Sequence, residues 1–165
     1  VVKYKLIDNF CLFWLKHVEA NSNKTSYMTE NITSDILKYW RGIAFEEVCW
    51  QHIDNIKNAL GIKGVNCSIS AWSIKGNDNR EGAQIDLLII RNDNVVNLCE
   101  MKFVGGAYTI DKDEEIKLRN RIETLKSTLS LKQSVHLTLV TTFGLSYGKH
   151  SGIVQKQVEL DDLFN

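Results

Sequence analysis

An α/β chain of the α+β kind is predicted, with a mixed central sheet flanked by helices behind a short helical N-terminal segment. Three features of the sequence carry that expectation. Short β-branched runs cluster between residues 65 and 103 and return at 135–142 and 155–160. Stretches of helical periodicity precede the first cluster and separate it from the later runs. Gly/Asn/Asp clusters mark the joints, because the chain has no proline. Strands gathered around one long helix and followed by another build layers of helix on sheet.

The elements follow in order. The first segment, KLIDNFCLFWLKHVE, spaces Leu6, Phe10, Phe13, Trp14 and Val18 near one helical face. Asn21-Ser22-Asn23-Lys24 reads as a loop, and a second helical stretch covers 33–40. After Gly42 a longer helix, GIAFEEVCWQHIDNIKNALG, puts Phe45, Val48, Cys49, Ile53, Ile56 and Leu60 on one stripe, with Gly61 as its C-cap. Strands are expected at 65–72, 83–90 and 95–103. The Lys75–Gly82 gap reads as a mobile polar loop. Residues 111–131 return to helical spacing through Ile116, Ile122, Leu125 and Leu129, before strands at 135–142 and 155–160. The expected organisation is a helical segment at 1–40 and a larger domain at 41–165.

Bulk properties narrow the function. A chain of 165 residues, 44% hydrophobic and 24% charged, can bury one real core as an ordinary globular domain. Twenty basic and twenty acidic residues cancel, so a protein that coats nucleic acid non-specifically is not supported. Cys11, Cys49, Cys67 and Cys99 form no C-x-x-C pair and suggest no zinc module. They read as small apolar residues of a reduced, cytoplasmic protein. No apolar run reaches the roughly 20 residues of a membrane span, and no signal peptide is visible. Beginning at Val1, the chain is expected to be part of something longer.

Chemistry concentrates in two adjacent strands. Asp86 stands in QIDLLII, and Glu100 and Lys102 in NLCEMKF. Charges inside apolar strands are costly unless paired or metal-bound. Glu100 and Lys102, two apart, share a face of their strand. The hairpin supplies a parity test. A three-residue loop, Asn92-Asp93-Asn94, sets Asp86 opposite Glu100 and Gln84 opposite Lys102, whereas a two-residue loop would put the two acids on opposite faces. The odd loop is expected, and two acids on opposite faces would end the reading. Two carboxylates about 5 Å apart repel unless a cation or proton intervenes. Hard oxygen ligands of this kind suit Mg²⁺ or Mn²⁺. A neighbouring lysine can orient the attacking water and stabilise charge growing on a phosphate.

Asp86, a gap of thirteen residues, then Glu100-Met101-Lys102 resembles the D…(D/E)-x-K signature of the PD-(D/E)xK nuclease superfamily. Gly42-Ile43-Ala44-Phe45-Glu46 is similar to the helix opening of many members, whose glutamate joins the metal site, and Gln84 also fits. Ile85 stands where the signature's proline would be, a proline often missing in this superfamily. The element order over about 40–142 is similar to its restriction-endonuclease-like core. The segments YKLIDNFCLFWLKHV, RGIAFEEVCWQHI, AQIDLLIIRNDNVVNLCEMKF and VELDDLF resemble the C-terminal part of bacterial and archaeal AAA-family ATP-binding proteins. The resemblance implies a nuclease-like domain at 41–165, a winged-helix-like connector remnant at 1–40, and an N-terminal ATPase domain outside this chain. No G-x-x-x-x-G-K-[ST] occurs here to bind ATP.

The resemblance implies a Mg²⁺- or Mn²⁺-dependent hydrolase of nucleic acid, with DNA ahead of RNA. Asp86, Glu100 and Glu46 would bind metal, Lys102 would position or activate the nucleophile, and Gln84 would help hold the site. A second reading stays open: a catalytically silent module that binds nucleic acid or protein and regulates the attached ATPase. A third is self-association through the aromatic N-terminal helix. Glu46 is preferred over Glu47, which is expected on the exposed side. Lys117, Arg119, Arg121 and Lys126 read first as a solvated helix face, with phosphate contact by one or two of them the lesser reading. Trp14, Trp40, Trp50 and Trp72 read as packing residues before base-stacking ones. Tyr108 and Asp111 are candidates for the mouth of the site, and the four histidines share no metal-ligand spacing.

Overall fold

A computed structural model describes residues 7–76 and 81–165. Leu6 and half of the expected 75–82 loop, residues 77–80, lie outside the described residues. The chain divides into two compact units, Val1–Val48 and Cys49–Asn165.

In the first unit Asp8 caps a short helix α1 (Asn9–Phe13), its carboxylate accepting from the Cys11 N–H at 2.6 Å. The chain then widens into a π turn, Trp14–Val18, and tightens into a 3₁₀ turn, Glu19–Asn21. An i→i+5 turn rotates the phase of the helix face. The expected apolar face is therefore split. His17 is buried, while Phe10 and Trp14 are 70% and 48% exposed. Helix α2 (Tyr27–Asn31) was not expected. The first unit packs around Trp40 of helix α3 (Asp35–Gln51), whose ring lies 5.7 Å from Phe13 and 5.6 Å from His17.

Helix α3 corrects the sequence reading. It runs unbroken through Gly42, a residue that costs a helix only about 1 kcal/mol, and so crosses the expected boundary between residues 40 and 41. The break comes instead at His52, after which α4 (Ile53–Ala59) begins. Gly61 does end that helix, with φ +70°. The Ile62 N–H donates to Lys57 O and the Gly61 N–H to Asn58 O, the paired bonds of a Schellman motif.

The second unit holds a five-stranded mixed sheet in the order β1 (Cys67–Ile74), β2 (Ala83–Arg91), β3 (Val95–Lys102), β4 (Ser134–Thr141), β5 (Lys156–Glu159). The first three strands are antiparallel neighbours, and β3, β4 and β5 are parallel. Helix α5 (Lys112–Leu129) makes the crossover between β3 and β4. Its Leu118 and Leu125 are buried against Ile85, Leu88, Val96, Leu98, Leu137 and Leu139, each such side chain contributing roughly 1.5–3 kcal/mol. The expected α5 stripe was partly misplaced. Ile116 and Leu129 are exposed, because the buried line runs through Leu118 and Leu125. On the opposite face Leu87, Ile89, Cys99, Met101, Val140 and Val158 are buried. All four cysteines are free, Cys49 and Cys99 buried and Cys11 exposed. The fold is the mixed α/β, α+β architecture expected, and no described helix is long and apolar enough to cross a membrane.

Candidate functional site

The hairpin joining β2 to β3 sets the register of the site. Its loop has the three residues Asn92, Asp93 and Asn94, with Asn94 at φ +66°. That left-handed residue is how a three-residue hairpin reverses the chain. Pairing then runs Ile90–Val96, Ile89–Asn97, Leu88–Leu98 and Leu87–Cys99. One step further stand Asp86 and Glu100, as the odd loop requires. There the paired residues end, and the Asp86 carboxylate accepts from the Met101 N–H at 3.1 Å.

On its other side β2 is bulged. Pairing with β1 passes from Ser70–Leu88 to Trp72–Ile85, so Asp86 and Leu87 together oppose one residue, Ala71. Such a bulge re-aims a side chain next to a site. It also changes the alternation along β2. Ile85 packs in the core cluster under α5, and Ala83 lines a cleft with α5 residues. Gln84, between them, is turned away from that face and exposed. The structure does not bring Gln84 to Lys102, a correction that the simple parity count, blind to the bulge, could not make.

Glu100 is the centre of the group, its side chain only 3% exposed. One carboxylate oxygen lies 2.7 Å from Lys102 Nζ, and the other accepts from Arg121 Nη1 of α5 at 2.5 Å. Burial, reinforced by the Glu100 charge, raises the Asp86 carboxyl above its ordinary range, against the opposing pull of the Met101 N–H, Lys102 and Arg121. Burial draws the Lys102 ammonium and the Arg121 guanidinium down, but the nearby carboxylates, Glu100 first and then Glu114, together outweigh it and the net shift is upward. Both cations are thus firmly charged. Around them Tyr108 donates to Glu114 at 3.0 Å, and burial followed by the Glu114 charge pushes its phenol up. Asp111 has a structural task, capping α5 by accepting from the Glu114 N–H at 2.8 Å.

Arg121 is the residue that sequence reading left among the solvated cations. The missed signal is a line of spacing. Glu114, Leu118, Arg121 and Leu125 fall on one face of α5, and the two leucines are buried on the sheet. A cation on that line faces the strands. The ordinary reading does hold for Arg119 and Lys126, which pair on the helix with Glu115 and Glu123.

Glu46 and Glu47 belong to the first compact unit. Glu46 is half-buried. Glu47 is buried, against the expectation that it would be exposed. It follows Trp40 by seven residues, two helical turns, and so shares the buried line of α3.

The donors present fit a hard divalent cation in kind. Asp86 and Glu100 offer carboxylate oxygens from adjacent strands, and the Asp86 carboxyl is raised by burial and then by the Glu100 charge. On the same face as Lys102, its register partner, the Thr141 hydroxyl is buried without a hydrogen-bond partner. Among the described residues no three His, Cys, Asp or Glu side chains are gathered for a metal. A cation here would take two protein carboxylates and complete its shell from water and substrate, a habit of Mg²⁺.

No family model matches the chain, and no curated protein matches it. Among solved structures it is similar to the crystal structure of a protein of unknown function, AF1548, with a TM-score of 0.47 at 15% identity. The match covers 70% of this chain and 64% of that one, so the chain spans less than two thirds of that protein's length.

Proposed function

We propose that the chain is a metal-dependent phosphodiesterase of the PD-(D/E)xK type, acting on nucleic acid. The observation that carries the reading is that Glu100 and Lys102 pair on β3 while the Asp86 carboxylate, next after the last β2–β3 pair, accepts from the Met101 N–H between them and feels the Glu100 charge. Asp86 and Glu100 would hold Mg²⁺ or Mn²⁺, which would supply Lewis-acid stabilisation of the phosphoryl group. Lys102, fixed by Glu100 and fully charged, orients the attacking water and counters charge growing on the phosphate oxygens. Half-buried Asp86 is oriented by the Met101 N–H, so it loses little ordering entropy on taking a ligand. A part for Glu46 rests on the sequence resemblance alone. The proposal extends to DNA as substrate and an ATPase domain N-terminal to this chain, both resting on the sequence resemblance, and to a cytoplasmic setting, resting on the free cysteines.

The test is cleavage of mixed DNA and RNA substrates with Mg²⁺ or Mn²⁺, comparing wild type with Glu100→Ala and Glu100→Gln. Removing the acid from between two cations can cost about 3–5 kcal/mol, so the isosteric glutamine guards against reading misfolding as chemistry. Activity lost in folded Glu100→Gln and in chelator is the expected result. Undiminished cleavage by that variant would refute the assignment.

A further inference from the structure

The Arg121 side chain, 29% exposed, faces two ways. One guanidinium nitrogen holds Glu100. The residue also lines a cleft of about 240 Å³ between the start of β2 and α5, whose wall includes Ala83, Lys117, Asn120 and Thr124, with Glu81 contributing one acid. That wall is polar and cationic on its α5 side, because Lys117 and Arg121 are one helical turn apart. A guanidinium has five donors in a planar fork matched to phosphate as well as to carboxylate.

The resting arrangement also obstructs the metal site. Both Glu100 oxygens are engaged, one by Lys102 and one by Arg121. Lys102 stands on the same strand as Glu100, two residues away. Arg121 reaches in from another element on a long flexible side chain and also lines the adjacent cleft. Resting on the nuclease reading above, we propose that Arg121 is a movable counter-ion: it neutralises Glu100 until a divalent cation enters, then turns its guanidinium to a substrate phosphate in the adjacent cleft. Cation and phosphate thereby promote each other's binding, since each favours the same position of one side chain. Lys117 and Asn120 flank the phosphate, and the substrate strand follows α5 from the carboxylates towards Thr124.

The test reads binding rather than turnover. Mn²⁺ affinity is measured by electron paramagnetic resonance for wild type, Arg121→Gln and Arg121→Lys, with circular dichroism confirming each fold. Removing a unit charge a few ångström from the carboxylates should tighten Mn²⁺ binding about tenfold in Arg121→Gln, while Arg121→Lys, still charged, stays within about twofold of wild type. At saturating Mn²⁺, the anisotropy of a labelled, hydrolysis-resistant phosphorothioate analogue of a DNA oligonucleotide should show Arg121→Gln binding about tenfold more weakly than wild type, the value of one lost charge-assisted contact, with a smaller difference in EDTA, where Arg121 is held by Glu100. Mn²⁺ affinity in folded Arg121→Gln equal to or weaker than wild type overturns the proposal, as does unchanged oligonucleotide affinity. In either case wild-type cleavage of the unmodified DNA shows whether the nuclease reading survives alone. If neither wild type nor Arg121→Gln binds Mn²⁺, both the metal site and the counter-ion built on it fall.

Discussion

Ionised Asp86 is held against its own solvation. Burial and the nearby Glu100 charge raise its carboxyl above the ordinary value of 3.8. The folded state therefore binds this proton more tightly than the unfolded chain does, and the sign follows from linkage. The group's stabilising contribution is complete below the unfolded pKa and is lost as pH rises through the higher, native one. At neutral pH the protein carries a charge it would be more stable without. Asp86→Asn, whose side-chain oxygen can still accept from Met101, should raise the thermal midpoint at pH 7 by about 2–4 °C, near 1 kcal/mol at this chain length. The gain should be lost below the ordinary value of 3.8, where wild-type Asp86, raised above it, also carries its proton. Calorimetry at both pH values decides it, and an equal gain at both would show that charge is not the cause. Stability set against function in this way is the usual mark of a working site. The same residue carries a matching loss. Asp86→Ala and Lys102→Ala should each retain the fold and lose cleavage by at least about a thousandfold, within the range for removing a group that stabilises transition-state charge. Near-wild-type turnover in both would remove these residues from the mechanism.

At the scale of elements, the hairpin between β2 and β3 decides whether a site exists. Asn94 occupies the left-handed region, and its carbonyl accepts from the Ser134 N–H at 3.1 Å, tying the turn to the start of β4. Arg91 pairs with Asp93 across the same turn. Asn94→Gly should leave the urea midpoint unchanged or slightly higher, since glycine accepts this conformation freely. Asn94→Val should destabilise by about 1–2 kcal/mol, the cost of a β-branched residue there; no difference between the two in urea unfolding would mean the turn does not fix the register. This loop was legible in the sequence because register is an integer: three residues put Asp86 and Glu100 on one face, two do not. Strand positions were legible for the same local reason, a period of two between turn residues. The β2 bulge was not, because it arises from pairing with β1, and no local pattern around Asp86 announces that Ala71 faces two residues. Arg121 escaped for a related cause. Its helix carries acids and bases on several faces, and which line is buried depends on where Leu118 and Leu125 meet the sheet. Glu47 shows the converse, since one acidic residue of an adjacent pair must fall nearer the Trp40 line and only packing chose it.

For the molecule as a whole, charge balance limits how nucleic acid can be held. Twenty basic and twenty acidic residues leave no net field to draw in a polyanion. Attraction must come from a few local cations, and those on the face of the proposed site are Lys102, Arg121 and, along the cleft, Lys117. In the absence of metal Glu100 already neutralises part of that set. Each phosphate contact releases condensed counterions and adds roughly 0.9 to the slope of log K against log salt on duplex DNA. Two or three such contacts give a slope of about −2 to −3, far from the roughly −10 of a protein that grips many phosphates. Anisotropy titrations of Asp86→Asn on duplex DNA across a range of salt concentrations should show that shallow dependence. Lys117→Gln should make it shallower by about one contact, with no change in Mn²⁺ affinity, because Lys117 does not pair with the carboxylates. A steep slope would mean that a basic surface elsewhere on the chain dominates binding, and the cleft along α5 would then lose its claim to the substrate strand. A shallow slope unaffected by Lys117→Gln would instead confine phosphate contact to Lys102 and Arg121. On the nuclease reading, weak steering of this kind predicts little affinity of this chain for DNA at physiological salt.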